Sequence, residues 1–170
     1  MDTLKALEER RSCRSFKKEQ ITDAELDAVL EAGLWAPTAK GTQDVIMAVV
    51  QDPALVRKLS EMNAAVMNSS SDPFYGAPTV VIVLSKRGKN DMVDGSGVLN
   101  YMMLAAEELG LGSCWINRAK EVFDTEEGKA LLKSWGIEGD YVGVGNCILG
   151  YPVEKAGKKP RKPGRIIKVR

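Results

Sequence analysis

Residues 94–109 form the longest helical pattern in the chain, and this helix carries apolar side chains on almost every face. Its apolar members are Val98, Leu99, Met102, Met103, Leu104, Ala105 and Ala106. A helix of this kind must be covered all round, either inside a core or at a contact between subunits. Gly110 ends the pattern. A chain of 170 residues has little material with which to cover such a helix completely.

Four other segments have the continuous apolar pattern of strands that are covered on both faces. They are residues 45–50, 79–85, 113–116 and 141–151. A further short strand is expected at 166–169, in an otherwise extended tail. Because helical patterns separate the strands, the sequence predicts an α+β fold (mixed α/β) with helices flanking one central sheet. No repeat or linker divides the chain, which predicts a single domain over residues 1–170.

Start and stop signals place the remaining helices. Residues 3–11 have an amphipathic pattern, and a capping box at 22–25 opens a second helix that must end before Pro37. Pro53, directly after an aspartate, is typical of the first turn of a third helix. The region 119–135 predicts one or two short helices.

The chain contains no histidine. This excludes the Ser-His-Asp triad, the Cys-His dyad and the HExxH zinc site. Three widely spaced cysteines without a CxxC pair argue against a disulfide framework or a structural zinc, so we expect free thiols and no metal. If the protein is an enzyme, a bound cofactor is the simplest source of its chemistry.

Hydropathy and charge constrain the partners. No apolar run approaches the length of a membrane span and the N-terminus lacks the apolar stretch of a signal peptide, so we expect no membrane partner and a cytoplasmic location. The net charge of +1 conceals eight basic and no acidic residues within 155–170, and a second basic cluster within 10–18. Two basic clusters on an acidic body indicate a local anion site more than a nucleic-acid surface.

The first candidate site is the run from Arg10 to Arg14. Arg10, Arg11, Ser12 and Arg14 place three guanidinium groups and a hydroxyl within five residues. Arginine offers a planar fork of donors that suits a phosphate. The alternative is a solvated helix end whose dipole the arginines complement, and the run by itself leaves both interpretations open.

The second candidate is the loop 36–43, in which small residues would let a flat ligand approach the backbone and Gln43 offers both a donor and an acceptor. Its alternative is an ordinary helix-to-strand connection. The third candidate is the segment 110–117. A helix stop explains Gly110, but it does not explain a second glycine at 112 together with Trp115.

Two further glycine pairs lack the partners of a dinucleotide-binding or P-loop motif. For Gly95 and Gly97 we expect close helix packing. For Gly143 and Gly145 we expect a strand that a neighbouring group crowds. The sequence therefore argues against a classical dinucleotide-binding fold and a P-loop ATPase.

In chain order, the segments RRSCRSF, APTAKGTQ, FYGAP, GLGSCWIN and a closing LGYP followed by KPRKP resemble the nitroreductase family of FMN-dependent oxidoreductases, in its compact branch. The resemblance covers essentially the whole chain. It implies FMN as the cofactor, NAD(P)H as the electron donor, and an intertwined homodimer with two FMN sites at the interface. A homodimer would also cover the all-apolar helix.

The resemblance assigns four groups of site residues. The group implied to hold the FMN phosphate and ribityl chain is Arg10, Arg11, Ser12, Arg14, Lys159 and Arg161. The group implied to reach the flavin from the other subunit is Pro37, Thr38, Ala39, Gly41 and Gln43. The group implied to lie beside the flavin ring is Trp115, Ile116 and Asn117. The group implied for the substrate pocket is Phe74 and Tyr75.

Three positions depart from the family pattern. The family usually has asparagine at the position of Gly41, proline at that of Asp44, and often glutamate at that of Asn117. A carboxylate at position 44 would disfavour a negatively charged reduced flavin if it faced the ring. These departures leave the substrate class and the redox potential open more than they affect FMN binding.

The resemblance implies hydride transfer from NAD(P)H to flavin N5, followed by reduction of a nitroaromatic, a quinone or another small conjugated acceptor in a ping-pong mechanism. The reaction takes place at the flavin, so no side chain is assigned as catalytic and no histidine is needed. Two other classes stay open. One is a non-catalytic FMN-binding module, a flavin carrier or redox sensor. The other is an anionic-surface or nucleic-acid binder that acts through the basic tail, although the tail lacks the aromatic residues on which bases stack.

Overall fold

The computed structural model describes residues 3–169. Its helices are α1 (Thr3–Glu9), α2 (Asp23–Leu34), α3 (Pro53–Val66), α4 (Asp91–Glu108), α5 (Ala119–Asp124) and α6 (Glu126–Ser134). Its strands are β1 (Val45–Val50), β2 (Thr79–Lys86), β3 (Gly112–Ile116) and β4 (Tyr141–Gly150). The strands form one antiparallel sheet in the order β1-β2-β4-β3. The expected α+β class and the strand positions 45–50, 79–85, 113–116 and 141–151 are confirmed.

Strand β2 shows why its sequence is apolar without interruption. Val81 and Val83 point into a core formed with α2 and α4, whereas Val80, Ile82 and Leu84 point into a second core formed with α3, α5 and α6. Helices cover both faces of the sheet, so successive side chains enter two different cores and each must be apolar. A continuous apolar run is typical of parallel strands, but this sheet is antiparallel. Burial on both faces is what produces the run here.

Helix α4 is covered on one side of its circumference. Leu99, Met102 and Ala106 are fully buried against the sheet and α2. On the opposite side Val93 is 70% exposed and Tyr101 is 43% exposed. The buried side of the predicted apolar helix is thus confirmed, whereas its other side, on which Asn100 is also exposed, faces solvent within one subunit.

The expectations for the two glycine pairs are borne out at three positions. A Cβ at Gly95 would collide with the side chain of Val144, so the N-terminal half of α4 lies directly on β4. A Cβ at Gly143 would collide with the backbone of Ala119, and one at Gly145 would collide with the indole of Trp115. The close approach of α4, α5 and Trp115 to β4 therefore requires glycine at these positions.

The C-terminal tail departs from expectation. Residues 166–169 form no strand, and Ile166, Ile167 and Val169 are 82–92% exposed. The physical reason is that the backbone of this segment pairs with no strand among residues 3–169, and a lone extended segment lacks the hydrogen bonds of a sheet. No helix within residues 3–169 has the length and apolar character that crossing a bilayer requires.

Candidate functional site

The arginine segment, residues 10–17, lies between β3 and the chain that follows β4. The amide of Cys13 donates to the carbonyl of Ser113 (2.9 Å), and the amide of Lys17 donates to the carbonyl of Tyr151 (2.9 Å). The amide of Val153 donates to the carbonyl of Ser15 (3.0 Å). This pairing resembles that of a sheet and fixes the backbone of the segment next to β3, which carries the third candidate segment, 110–117.

The start of the basic tail returns to the same end of the molecule. Lys158 Nζ lies 2.8 Å from a carboxylate oxygen of Glu8 and 2.7 Å from one of Glu9, both near the end of α1. Hydrogen bonds to Glu8 and Glu9 raise the pKa of Lys158, and the bond from Lys158 lowers the pKa of Glu9. The start of the basic tail, residues 155–170, thereby lies next to the helix that precedes Arg10.

Four of the predicted phosphate ligands keep an uncompensated charge. Arg10, Arg14, Lys159 and Arg161 have no carboxylate within 4.0 Å among residues 3–169. Other basic residues near them are paired, since Lys155 contacts Glu107 and Lys158 contacts the end of α1. Unpaired guanidinium and ammonium groups at one end of the fold match the needs of a phosphate dianion.

Arg11 behaves differently from its neighbours. Its guanidinium donates to the carbonyl oxygens of Glu8 (2.8 Å) and Arg10 (2.6 Å) and so satisfies the C-terminal end of α1. The helix-end interpretation therefore holds for Arg11. Arg11 also lines a cavity of about 200 Å³ together with Glu107 and Glu154. Ser12 and Lys155 line the same cavity, and Lys155 is paired there with Glu107.

The loop 36–43 is held in an unusual backbone conformation. Lys40, Gly41 and Gln43 have φ angles of 57°, 66° and 54°, and two of them are not glycine. The amide of Ala39 donates to Asp94 Oδ1 (2.9 Å), and the amide of Gln43 donates to the hydroxyl oxygen of Thr38 (3.0 Å). The loop is therefore more than an ordinary connection, because side-chain acceptors maintain a strained turn.

Asp94 was missed by reasoning from the sequence. An aspartate in the first turn of a helix is ordinary, since it complements the helix dipole, and so the residue gives no signal of its own. Its contact with a backbone amide 55 positions earlier is visible only in the folded chain.

The structure shows the backbone and exposure of the three residues that depart from the family pattern. Gly41 lies in the left-handed region, which asparagine also tolerates, so glycine preserves the backbone there and omits a side-chain amide. Asp44 is exposed, and its carbonyl accepts from the amide of Lys86 (2.9 Å) at the start of β1. Asn117 is exposed. It precedes Arg118, the N-cap residue of α5, which has a φ of 79°.

Two predicted site residues have side chains that no ligand can reach in this subunit. Phe74 is 2% exposed and Ile116 is 8% exposed, and both belong to the core beneath α3 and α5. In this subunit the Phe74 ring is packed in the core, where a large apolar side chain is more stable than in an open pocket, and its pocket role stays a prediction. Ile116 can offer a ligand only its backbone. Trp115 is half-buried, and Tyr75 is 41% exposed.

The arginine segment and the loop lie at opposite ends of α4. The loop is bonded to Asp94, whereas the arginine segment shares a cavity with Glu107, 13 residues further along the helix. At 1.5 Å per residue this separation is about 20 Å. Within one subunit the two predicted flavin-binding groups are therefore anchored at points about 20 Å apart along the helix axis.

The chain is similar to proteins of one family. The model of the nitroreductase family matches residues 7–100 and 64–151. An Archaeoglobus fulgidus protein, whose name proposes NADH dehydrogenase or NAD(P)H nitroreductase activity, is 33% identical over 159 residues, which span 91% of this chain and 87% of that protein. The FMN reductase [NAD(P)H] of Bacillus subtilis is 24% identical over 98% of this chain and 72% of its own length.

Among solved structures, a nitroreductase with bound FMN from Bacteroides fragilis superimposes with a TM-score of 0.91 at 28% identity, over the whole of both chains. A nitroreductase from Desulfitobacterium hafniense superimposes with a TM-score of 0.89 at 24% identity and supports the same fold. The protein described here belongs to the nitroreductase family.

Proposed function

We propose that this protein is an FMN-dependent NAD(P)H oxidoreductase that reduces a nitroaromatic, a quinone or another small conjugated acceptor. The observation that carries the proposal is the set of unpaired cations, which includes Arg10 and Arg14, on a segment fixed beside β3. The FMN found in the Bacteroides fragilis relative and the FMN reductase name of the Bacillus subtilis relative support it.

The donor set fits a flavin mononucleotide. A phosphomonoester carries nearly two negative charges and needs several cationic donors when no metal is present. Arg10, Arg14 and the hydroxyl of Ser12 would supply them, with Lys159 and Arg161 closing from the tail. The exposed side chain of Asn117 and the backbone of residues 115–116 would lie beside the flavin ring. FMN, when bound, supplies hydride acceptance and donation at N5.

The protein's own residues then bind, orient and exclude water. No side chain is assigned a proton-transfer role, which agrees with a chain that contains no histidine. NAD(P)H and the acceptor would occupy the same open side of the site in turn, and ping-pong kinetics would follow. Tyr75 is the predicted pocket residue whose ring is exposed enough to contact either substrate.

We propose that the functional unit is a homodimer. The exposed side of α4 carries Val93 and Tyr101, and the tail exposes Ile166, Ile167 and Val169. Large apolar side chains exposed in groups are typical of surfaces that a partner covers. A two-fold axis would bury this surface against its own copy. It would also set the loop 36–43 of one subunit against the arginine segment of its partner, although within one subunit the two lie about 20 Å apart along α4.

The decisive experiment is to purify the protein and identify what it holds. We expect a yellow protein whose cofactor, released by heat, elutes as FMN, at one per subunit. Addition of NADH or NADPH without oxygen should bleach the colour, and an acceptor should restore it. Release of FAD, or failure of the protein to take up added FMN, would contradict the cofactor proposal.

The bleaching step separates the proposed enzyme from a non-catalytic flavin carrier or sensor. A protein that binds FMN but keeps its yellow colour with both nicotinamides would be the carrier. Parallel lines in double-reciprocal plots would support ping-pong kinetics, and intersecting lines would contradict it. The cytoplasmic location stays a prediction of the sequence.

A further inference from the structure

Tyr75 lies in a backbone conformation that its own side chain disfavours. Its φ is 54°, in the left-handed region where a bulky residue is a true outlier. Gly76, which follows it, also has a positive φ of 71°. Strain of this kind persists only where the surroundings fix the backbone, and it is concentrated at functional positions.

One carboxylate fixes the turn around Tyr75. Asp72 Oδ1 accepts from the amide of Phe74 (2.9 Å), and Oδ2 accepts from the amide of Gly76 (2.7 Å). The hydroxyl of Ser60, on α3, donates to the same Oδ1 and ties the turn to the helix. The residues on both sides of Tyr75 are therefore anchored, one of them also by burial of the Phe74 ring in the core.

Packing does not explain why a tyrosine occupies this position. Its ring is 41% exposed, so it contributes little to the core, and glycine would adopt the same backbone without strain. The ring does make one specific contact. The guanidinium carbon of Arg14 lies over it, 5.9 Å from the ring centroid. A cation is attracted to an aromatic face at this distance.

We propose that Tyr75 is a positioning residue that holds the guanidinium of Arg14 ready for FMN. This inference rests on the proposed function. Arg14 is exposed and has no carboxylate partner among residues 3–169, so its long side chain would otherwise sample many rotamers. A carboxylate neighbour would order the side chain but would also neutralise its charge. An aromatic face orders it and leaves the full positive charge available to the ligand.

The test uses substitutions that remove the ring and leave the turn intact. Tyr75→Gly and Tyr75→Asn both tolerate a positive φ, so we expect their melting temperatures to equal or exceed that of the wild type. FMN should nevertheless bind about two- to five-fold more weakly to both, as measured by fluorescence titration of the apoprotein. Tyr75→Phe, the matched control, keeps the aromatic face and should bind FMN like the wild type.

A double-mutant cycle shows whether the ring acts through Arg14. In an Arg14→Ala background, Tyr75→Gly should cause no further loss of FMN affinity. Equal losses in both backgrounds would overturn the proposal, and so would unchanged FMN binding by Tyr75→Gly or loss of binding by Tyr75→Phe. A wild-type protein that binds no FMN would instead contradict the proposed function, so the two failures are distinguishable.

Discussion

The two ends of α4 carry the two predicted halves of the site, and they are stabilised in different ways. At the C-terminal end, the segment 10–17 is held by backbone hydrogen bonds to β3 and to the chain after β4. At the N-terminal end, the loop 36–43 is held by a short backbone turn, in which the amide of Gly41 donates to the carbonyl of Thr38 (2.9 Å), and by the side-chain acceptors Asp94 and Thr38. It has three positive φ angles. The arginine half therefore belongs to the regular structure of the sheet, whereas the loop half depends on individual contacts.

This difference indicates which substitutions each half tolerates. Removing one side chain from the arginine segment leaves its backbone in place and subtracts one ligand contact. Removing the acceptor that holds the loop releases a strained backbone, and several predicted flavin contacts move together. In the proposed homodimer each site takes one half from each subunit, so the contact between subunits comes first in order of effect.

The largest effect is expected from a charge on the exposed side of α4. Tyr101→Glu would bury an unpaired carboxylate at the proposed two-fold contact, which costs about 3–5 kcal/mol. The dimer should dissociate at least about a hundred-fold more readily, and bound FMN should be lost with it. Sedimentation and flavin absorbance, recorded on the same samples, measure both. Met103 is unsuitable for this test because it is buried within the subunit, so a charge there would disrupt the fold.

The matched control for this substitution is Met67→Glu. Met67 is similarly exposed and apolar but lies at the end of α3, on the opposite side of the sheet. This variant should stay dimeric and yellow. A monomeric Tyr101→Glu protein that kept one FMN per subunit would contradict the shared site.

The next largest effect concerns the arginine half. Arg14→Ala and Arg161→Ala should each weaken FMN about ten-fold or more, because a charge-assisted bond to phosphate contributes about 1.5–3 kcal/mol. The double variant should lose less than the sum of the two if both groups bind one phosphate. Arg57→Ala, an exposed arginine on α3, is the control and should leave FMN titrations unchanged. Additive losses would assign the two arginines to separate anions.

A smaller effect is expected in the loop half. Asp94→Ala removes the acceptor for the amide of Ala39, at about 1 kcal/mol, and should weaken FMN roughly five-fold. Asp94→Asn keeps an oxygen in the same place and should bind FMN nearly as well as the wild type. If the asparagine and alanine variants lose affinity equally, the charge of Asp94, and not its hydrogen bond, is what matters.

The smallest effect is expected from Glu25, which lies outside both halves of the site and whose hydrogen bonds connect α2 to the end of β4. The hydroxyl of Thr22 and then that of Tyr151 lower the pKa of Glu25 by donating to its carboxylate, which ties the end of β4 to α2. A carboxylate with a lowered pKa stabilises the fold above its unfolded pKa of about 4.3, and this stabilisation is lost as pH falls through the lower folded value.

Because Glu25 is only half-buried and solvent screens its charge, its effect on the melting temperature should not exceed about 2 °C at neutral pH. The difference in melting temperature between the wild type and Glu25→Gln should shrink as the pH is lowered below about 4. A difference that stays constant down to the pH of acid unfolding would show that the hydrogen bonds do not depend on ionisation.

Reasoning from the sequence located the elements well where local physics is decisive. The capping box of α2 is present, with Thr22 and Glu25 bonded in both directions, and Pro53 begins α3 as expected. The crowded glycines on β4 also matched expectation, because a glycine within a strand often marks the close approach of another group. The side-chain directions were less predictable. Phe74 and Ile116 were assigned to the site, and the fold buries both.

Local patterns along the chain were sufficient to predict the α+β class, the flanked sheet, the basic clusters and an apolar α4, since these follow from periodicity, capping and composition. The packing of the folded chain was needed to show which arginines are free, because Arg11 is occupied by the end of α1 whereas Arg14 lies over Tyr75. It also decided that Asp94 holds the loop, and that the loop and the arginines lie at opposite ends of α4. Contacts between residues distant in sequence depend on how the elements pack, and no local pattern records them.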